Sequence, residues 1–353
     1  MSGDGFWQPK IDLTRCTNCG QCENVCSYTH PDIIQPKDKI ESQAYSIVTK
    51  DRKLLSEVSS GGAGYELGKL FLKNNYKVFG VEYDNNKNIA SHIVIKSENE
   101  LKKIIGSKYL QSYTVDAFKQ VDIKEKYIFF GCPCQIDSLR RFTRNKNIER
   151  NWFFVDFFCH GVPSYHLWEK YSRHYVKKNT RIMGVKFRDK CNGWHKSMTM
   201  TMTMTNSIIY SRTLRKNDYF LNMFFGNYVL NESCYNCKFH GLNSAADIRI
   251  GDFWGRKYKN NKTGVSGAIV LTQAGCDTIK KLYQSCIIHE EDINTLLEGQ
   301  IVNEIKPPKN RRFILEKLKT NMFLPLLYFI FAYKRWLKNS IPIGIKKIIR
   351  KYF

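Results

Sequence analysis

Four cysteines near the start of the chain constrain its fold more than any other feature. Cys16, Cys19, Cys22 and Cys26 have the spacing C-x2-C-x2-C-x3-C, which is typical of loops that ligate [4Fe-4S] clusters. Three thiolates within one tight loop can hold three corners of a cubane, and Gly20 eases the turn between them. Because zinc sites usually combine two C-x2-C pairs set far apart, the spacing favours an iron–sulfur cluster over zinc.

This motif occurs once, which limits what the N-terminal module can be. In two-cluster ferredoxins the fourth cysteine of such a run ligates the other cluster and is followed by proline, but Ser27 follows Cys26 here. We therefore expect either a single cluster closed locally by Cys26, or a shortened ferredoxin-type module, apparently half of one, over residues 1–36.

The cysteine content also bears on the cellular compartment. The chain has twelve cysteines in 353 residues, and it begins Met-Ser-Gly-Asp-Gly without the apolar stretch of a secretory signal. A cysteine-rich chain that is not exported is more often metal-binding or catalytic than disulfide-bonded. We therefore expect a cytoplasmic protein.

Beyond the first module, short β-branched segments alternate with segments of helical spacing, which predicts a mixed α/β (α+β) fold. The predicted strands are Tyr45–Val48, Val78–Tyr83, Ile93–Ile95, Tyr127–Gly131, Trp152–Phe158, Gly184–Arg188, Met198–Thr205, Asp247–Phe253 and Gly267–Thr272. The predicted helices are Tyr65–Asn74, Glu98–Ile105, a helix from Pro163 to about Lys177, and Ala274–Ser285. Residues 37–60 are interpreted as a linker with one short strand, residues 37–290 as the main domain, and residues 291–353 as a basic helical tail.

Four further cysteines lie in turns or at predicted strand ends. Cys134 and Cys159 each follow a predicted buried strand, and Cys234 and Cys237 form a C-x2-C pair. Four such thiols could ligate a second cubane, but dispersed cysteines suit zinc equally well, and Cys132 could form a redox-active disulfide with Cys134. Cys191, Cys276 and Cys286 belong to no motif, so we interpret them as ordinary buried thiols.

Several segments together resemble the coenzyme F420 hydrogenase/dehydrogenase beta-subunit family, over roughly residues 5–275. They are Ser59–Gly62, Gly106–Ser112, Gly131–Gln135, Asp156–Pro163, Phe187–Lys190, Gly193–Trp194, Ser233–Phe239 and Asp247–Gly255. The resemblance implies [4Fe-4S] clusters and a flavin, expected to be FAD, that exchange electrons with a soluble hydride carrier. It also implies that Cys134, Cys159, Cys234 and Cys237 ligate the cluster nearest the flavin. Cys132 departs from the family, which usually has threonine there.

The flavin residues expected from this resemblance fall in two short segments. Ser59, Ser60, Gly61 and Gly62 precede a predicted helix, where free N–H groups and the helix dipole could hold a pyrophosphate. Within Gly106–Ser112, the residues Ser107, Lys108, Tyr109 and Gln111 are candidate contacts, with Lys108 as a cation and Tyr109 as a stacking ring. His160 and Lys190 are candidate proton donors near the flavin.

These expectations together describe an iron–sulfur flavoprotein oxidoreductase. Reduced ferredoxin or a dihydro-deazaflavin such as reduced coenzyme F420 would deliver electrons, and a role in surface-polysaccharide biosynthesis is implied by bacterial relatives. One alternative is a non-catalytic electron-transfer subunit, which would need no flavin. Another is a zinc-bearing nucleic-acid-binding protein, but the chain lacks a zinc-finger histidine pair and an RNA-binding aromatic signature, so no nucleic-acid partner is expected.

The charge of the chain is concentrated at its C-terminal end. The net charge of the chain is +24. From residue 301 onward the sequence contains thirteen Lys or Arg, and its only acidic residues are Glu304 and Glu316. Ile341, Ile345 and Ile348 recur at helical spacing opposite basic residues, which is typical of a helix lying on an anionic membrane surface. A basic helix packed on the core, or a surface that docks an acidic ferredoxin, would have the same composition.

Overall fold

A computed structural model describes residues 1–176, 180–195, 198–205, 209–214 and 218–340. The α-helices in these ranges are α1 (Gln21–Val25), α2 (Arg52–Glu57), α3 (Ala63–Lys73), α4 (Val115–Phe118), α5 (Pro133–Asn145), α6 (Tyr165–Tyr175), α7 (Tyr219–Phe225), α8 (Glu232–Tyr235), α9 (Gln273–Leu282), α10 (Ile293–Leu297), α11 (Arg311–Lys319) and α12 (Leu324–Ser340). The strands are β1 (Lys39–Thr49), β2 (Tyr76–Asp84), β3 (Ile89–Ile95), β4 (Lys126–Phe130), β5 (Trp152–Phe157), β6 (Ile182–Lys186), β7 (Thr199–Met204), β8 (Ile209–Thr213), β9 (Ile248–Asp252), β10 (Ser266–Thr272) and β11 (Cys286–Glu291).

The main sheet is mixed and has the strand order β11-β1-β10-β9-β5-β4-β2-β3. Its centre is parallel, because β2, β4, β5 and β9 pair in parallel, whereas both flanks are antiparallel. The two innermost parallel strands, β4 and β5, are mostly buried and apolar, as in Ile128, Phe129 and Phe154, which is the composition expected of strands covered on both faces. The predicted mixed α/β fold is confirmed.

A second sheet of three antiparallel strands has the order β6-β7-β8. The Met/Thr alternation of β7 acts as ordinary strand patterning, because Met200, Met202 and Met204 are buried in a core cluster with Trp168 and Phe187. The methionine side chains therefore cover one face of this sheet, as the period of two predicts.

The structure changes three predictions of local structure. Residues 37–60 are not a linker, because β1 spans eleven residues and pairs with both β10 and β11; its polar Ser46 and Gln43 obscure the strand pattern. The segment Glu98–Ile104 is a 3₁₀ helix. The region after residue 290 is not simply helical, since β11 runs to Glu291 and only α10 follows before a long loop.

The C-terminal helices pack against the rest of the chain. Ile314, Leu315 and Leu318 of α11, with Leu327 and Tyr328 of α12, are buried in the cluster that also contains α6 and α7 residues. Among the described residues, none of the helices has both the length and the apolar composition that a membrane span requires. The predicted amphipathic helix at 341–352 lies outside the described residues.

Candidate functional site

Two cysteine-bearing loops meet because the strands before them are parallel neighbours. Phe130 at the end of β4 lies opposite Val155 of β5, and the Gly131 N–H donates to the Val155 carbonyl at 3.1 Å. Since the carboxyl ends of parallel strands lie at one edge of the sheet, the loop with Cys132 and Cys134 lies beside the loop with Cys159.

The C-x2-C pair is held against the same edge by the chain around α8. The Asn231 N–H donates to the Val162 carbonyl at 2.9 Å, and a Cβ placed on Gly161 would lie 3.4 Å from the Cys234 Sγ. Gly161 has a φ of +114°, so glycine there permits both the backbone conformation and this close approach.

The four thiols predicted as a second ligand set therefore converge. Cys134, Cys159, Cys234 and Cys237 each interact electrostatically with the other three. Burial raises the pKa of Cys134 to about 12 and also raises the pKa values of Cys234 and Cys237. Four thiolates in such a site are unfavourable unless a positive group compensates them, and the irons of a cluster supply that charge. The arrangement thus fits a [4Fe-4S] cluster.

Cys132 belongs to the same group of side chains. It donates a hydrogen bond to Cys159, and this contact is the main reason that the pKa of Cys159 is lowered. The Gly161 N–H also donates to the Cys159 Sγ at 3.3 Å. Within the described residues, no three His, Cys, Asp or Glu groups are placed to hold a single metal ion. In a [4Fe-4S] cluster each cysteine ligates a different iron, so its ligands lie farther apart than the ligands of one ion.

The N-terminal cysteines lie on the surface beside α5. Cys16, Cys19 and Cys22 are exposed, whereas Cys26 is partly buried. The loop is anchored just after its last cysteine, where the Ser27 N–H donates to the Ser138 Oγ at 3.0 Å. Because α5 begins at Pro133, the same helix connects the N-terminal loop to the second cysteine group.

The two segments predicted to bind flavin lie side by side. The Ser59 Oγ accepts the Ser107 N–H at 3.0 Å. Lys108 donates to the Ile105 carbonyl at 2.8 Å, and desolvation lowers its pKa to about 7. Tyr109 is close to Arg188 and stacks on Phe224 with ring centroids 5.2 Å apart.

Gly61 and Gly62 were expected to be glycine so that a pyrophosphate could approach the backbone, but packing and backbone conformation within the protein require glycine at both positions. A Cβ on Gly61 would lie 2.2 Å from the Ile47 carbonyl oxygen and 2.5 Å from the Ser266 nitrogen. The Gly61 N–H, expected to be free for a phosphate, donates to the Ser266 Oγ at 3.0 Å. Gly62 has a φ of +93° and caps α3. This turn is therefore packed tightly on the strands beneath it.

The polar atoms of two further candidates are used within the protein. The Gln111 amide pairs with the backbone N–H and carbonyl of Trp7 at 2.7 and 2.9 Å, which fixes the N-terminal segment. The Lys190 ammonium donates to the carbonyls of Leu55, Ser60 and Thr263. Burial, with a smaller effect of Arg188, lowers the Lys190 pKa to about 8.

His160 connects the cysteine group to the predicted flavin segments. It follows Cys159 directly, and its ring packs edge-on against Phe224 and Phe225 at 4.9 and 5.1 Å. Tyr109 contacts the same two phenylalanines. The side chains of His160 and Tyr109 are thus separated by one layer of aromatic rings.

Sequence reasoning assigned no role to an ion pair beside Tyr109. Arg188 pairs with Asp252, whose other oxygen accepts the Trp194 Nε1–H at 2.8 Å. The Arg188 guanidinium stacks on Trp254 at 4.5 Å from the ring centroid. All four residues lie in segments that carried the family resemblance, and this was the available signal. Cys191, expected to be buried, is exposed, whereas Cys276 and Cys286 are buried.

Comparison with known proteins agrees with this geometry. Residues 124–295 match the sequence model of a family described as the C terminus of the beta subunit of coenzyme F420 hydrogenase/dehydrogenase. No curated protein sequence matches the chain. Among solved structures, a chain of the xenon-derivatised F420-reducing [NiFe] hydrogenase complex from Methanosarcina barkeri has the same fold, with a TM-score of 0.52 and 14% identity over 81% of this chain and 91% of that chain. Over residues 124–295, which include Cys134, Cys159, Cys234 and Cys237, the protein belongs to the coenzyme F420 hydrogenase/dehydrogenase beta-subunit family.

Proposed function

We propose that the protein is an iron–sulfur flavoprotein oxidoreductase that transfers electrons between a reduced carrier and a substrate. The observation that carries this proposal is the convergence of Cys134, Cys159, Cys234 and Cys237 at the carboxyl ends of β4 and β5. Five partly buried thiols, counting Cys132, have no packing reason to meet at one point, but a cluster requires such a group.

The two cysteine groups suit different parts of an electron pathway. A [4Fe-4S] cluster supplies one-electron chemistry and a flavin couples it to two-electron chemistry. Cys16, Cys19 and Cys22 are exposed, so a cluster in that loop would be accessible to a carrier. The second group is partly buried next to His160, and the Ser27–Ser138 contact fixes the first loop beside it.

The flavin is proposed to lie between the Ser59 and Ser107 segments and Tyr109. Here Arg188 provides positive charge and Tyr109 provides an aromatic ring, while Lys108, whose pKa is lowered to about 7 by burial, provides an N–H donor. The Phe224–Phe225 layer connects Tyr109 to His160. His160 is positioned to hold or move a proton at this layer, whereas Lys190 would need to leave its three carbonyl partners to do so.

The family and the neighbouring structure support a proposal for the carrier. We propose reduced ferredoxin or reduced coenzyme F420, because the similar M. barkeri chain comes from a complex described as F420-reducing. A glycan-linked reduction in surface-polysaccharide synthesis is the proposed context. We also propose a cytoplasmic protein that associates peripherally with the membrane.

A non-catalytic electron-transfer subunit is the second candidate. It is favoured because the Gly61 N–H, the Gln111 amide and the Lys190 ammonium already form hydrogen bonds within the protein, so fewer polar groups remain to bind a flavin. The two functions differ in one property, since only the oxidoreductase needs a bound flavin.

Flavin binding therefore tests the proposal. Anaerobic protein reconstituted with iron, sulfide and FAD should retain about one flavin per chain, as a flavoenzyme requires, and its flavin absorption should bleach when reduced ferredoxin or reduced F420 is added. The double variant Lys108→Met/Tyr109→Leu should lose the flavin and keep its iron, whereas the surface control Lys102→Met/Tyr283→Leu should keep both. Full iron content without flavin in the unmodified protein would instead indicate an electron-transfer subunit.

A further inference from the structure

The first turns of α12 expose apolar side chains on the face opposite to the core. Leu324, Leu327 and Tyr328 are at most 2% exposed, whereas Leu326 and Ile330 are 50% and 46% exposed. At 100° per residue, the buried residues lie within one arc of the helix and the exposed ones within the opposite arc. A soluble helix normally has a polar outer face, so the apolar outer face of α12 requires an explanation.

The apolar face extends beyond these two residues. Phe323 precedes α12 and is 60% exposed, and Tyr333, which follows a kink in the helix at Ala332, is 45% exposed. Phe313 of α11 is also 51% exposed, but it packs edge-on against Phe331, which lies on the core side of α12. We call Phe323, Leu326, Ile330 and Tyr333 the α12 ridge. Contiguous exposed apolar side chains of this kind mark interaction surfaces.

The charge around the ridge indicates which partner it fits. On α11, Arg312 is almost fully exposed and lies 3.6 Å from Glu316, Lys317 lies over the Phe313 ring, and Lys319 pairs with Asp4 at 2.8 Å. Residues 334–353, which directly follow the ridge in sequence, contain seven Lys or Arg and no Asp or Glu. A second copy of this chain would carry the same positive charge and would be repelled. An anionic lipid surface supplies both the negative charge and the apolar layer.

We propose that the α12 ridge is an interfacial membrane site, with its apolar side chains at the acyl boundary and the surrounding basic residues on anionic headgroups. The apolar run Met322–Tyr333 is too short to span a bilayer, which needs about 20 residues. The helix would therefore lie in the plane of the interface. This inference is independent of the clusters and the flavin, and it assigns the insertion to α12 rather than to the tail after residue 340.

Flotation of the full-length protein with vesicles tests the proposal. The protein should float with vesicles of phosphatidylcholine and phosphatidylglycerol, and much less with phosphatidylcholine alone or at high salt. Leu326→Glu/Ile330→Glu should reduce flotation at least ~10-fold, because two apolar groups no longer insert. The matched control Ile123→Glu/Leu242→Glu changes two exposed apolar residues far from α12 in sequence and should float like the unmodified protein. Circular dichroism checks that each variant folds.

Three results would overturn the proposal. One is equal flotation of the unmodified protein and the Leu326→Glu/Ile330→Glu variant. A second is loss of all flotation in a chain ending at Ser340 while the double variant floats normally, which would place the site in the tail. The third is an absence of flotation combined with a dimer, detected by light scattering, that the double variant abolishes, which would make the ridge a contact between copies.

Discussion

Arg249 and Asp156 form a fully buried bidentate ion pair within electrostatic reach of Cys159 and Cys237. Nε and Nη2 of Arg249 lie 2.8 and 2.7 Å from the two Asp156 oxygens. The remaining N–H groups donate to the carbonyls of Phe239, Gly241 and Asn243, so all five donors are used. The pair joins β5 and β9 to the chain that follows Cys237.

Breaking this pair should destabilise the fold and the second cysteine group together. Arg249→Met leaves the buried Asp156 carboxylate with the Ser244 hydroxyl as a hydrogen-bond donor but without a compensating cation, which typically costs about 3–5 kcal/mol. Urea unfolding should show this loss in the free energy of unfolding, and iron retention should fall. Arg256→Met is the control, because that side chain is 89% exposed and should change stability by less than about 0.5 kcal/mol. Equal stability of both variants would contradict the structural role given to Arg249.

Gly61 should tolerate no side chain, whether or not a flavin binds. Gly61→Ala places a Cβ against the backbone of Ile47 and Ser266, so the turn must move and the protein should lose stability by about 1–3 kcal/mol, as overpacked sites do. Gly184→Ala is the matched control, because its Cβ would meet nothing within 4 Å. Thermal unfolding of the two variants, without added flavin, measures the difference; if Gly61→Ala melts like Gly184→Ala, the packing of this turn is described incorrectly.

The lowered pKa of Lys108 predicts that the free energy of unfolding increases with pH. Its folded pKa is lowered to about 7 from 10.5 by burial, so between these pH values the unfolded chain binds a proton that the folded chain lacks. The free energy of unfolding should therefore rise with pH in this window by up to about 1.4 kcal/mol per unit, relative to Lys108→Met, which lacks the group. Urea titrations of both proteins at pH 7 and 9 measure it. A parallel pH response of the two proteins would show that Lys108 is not desolvated.

Tyr28 should influence the second cluster although it belongs to the N-terminal module. Its hydroxyl hydrogen-bonds to Cys134 and lowers the pKa of that thiol, while about half of the side chain stays exposed. Hydrogen bonds to ligand sulfurs raise cluster potentials, so Tyr28→Phe should shift the potential of one cluster downward and keep its iron. A redox titration followed by electron paramagnetic resonance measures this shift, and Tyr283→Phe is the exposed control. An unchanged potential would show that the hydroxyl does not act on the cluster.

The sequence was sufficient to predict which cysteines could ligate a cluster, but not which side chains lie together in the fold. The chemistry of Cys134, Cys159, Cys234 and Cys237 was visible in their motifs, but their meeting depends on β4 and β5 being adjacent and parallel, which no local pattern encodes. The Arg188–Asp252 pair joins residues 64 apart along the chain, so neither partner predicts the other.

Some features were missed because polar residues interrupt the apolar pattern or because the contacting residues are distant in sequence. β1 was missed over most of its length because Gln43 and Ser46 interrupt its apolar pattern, although the strand lies inside the sheet. Gly61 was correctly singled out, but its tertiary neighbours Ile47 and Ser266 are distant in sequence. The internal partners of Gln111 and Lys190 are backbone atoms, which carry no sequence signal.

Iron and acid-labile sulfide content, with Mössbauer spectra, test most directly whether the second cysteine group holds a cluster. Anaerobically reconstituted protein should contain about eight irons per chain, and in any case more than about four, with near-equal sulfide, because each of two cubanes holds four irons. The variant Cys234→Ser/Cys237→Ser should lose about four irons and keep the spectrum of the N-terminal cluster. Cys276→Ser/Cys286→Ser, which changes two buried thiols outside both groups, should lose none. Unchanged iron in the Cys234→Ser/Cys237→Ser variant, or zinc without sulfide in the unmodified protein, would contradict the account.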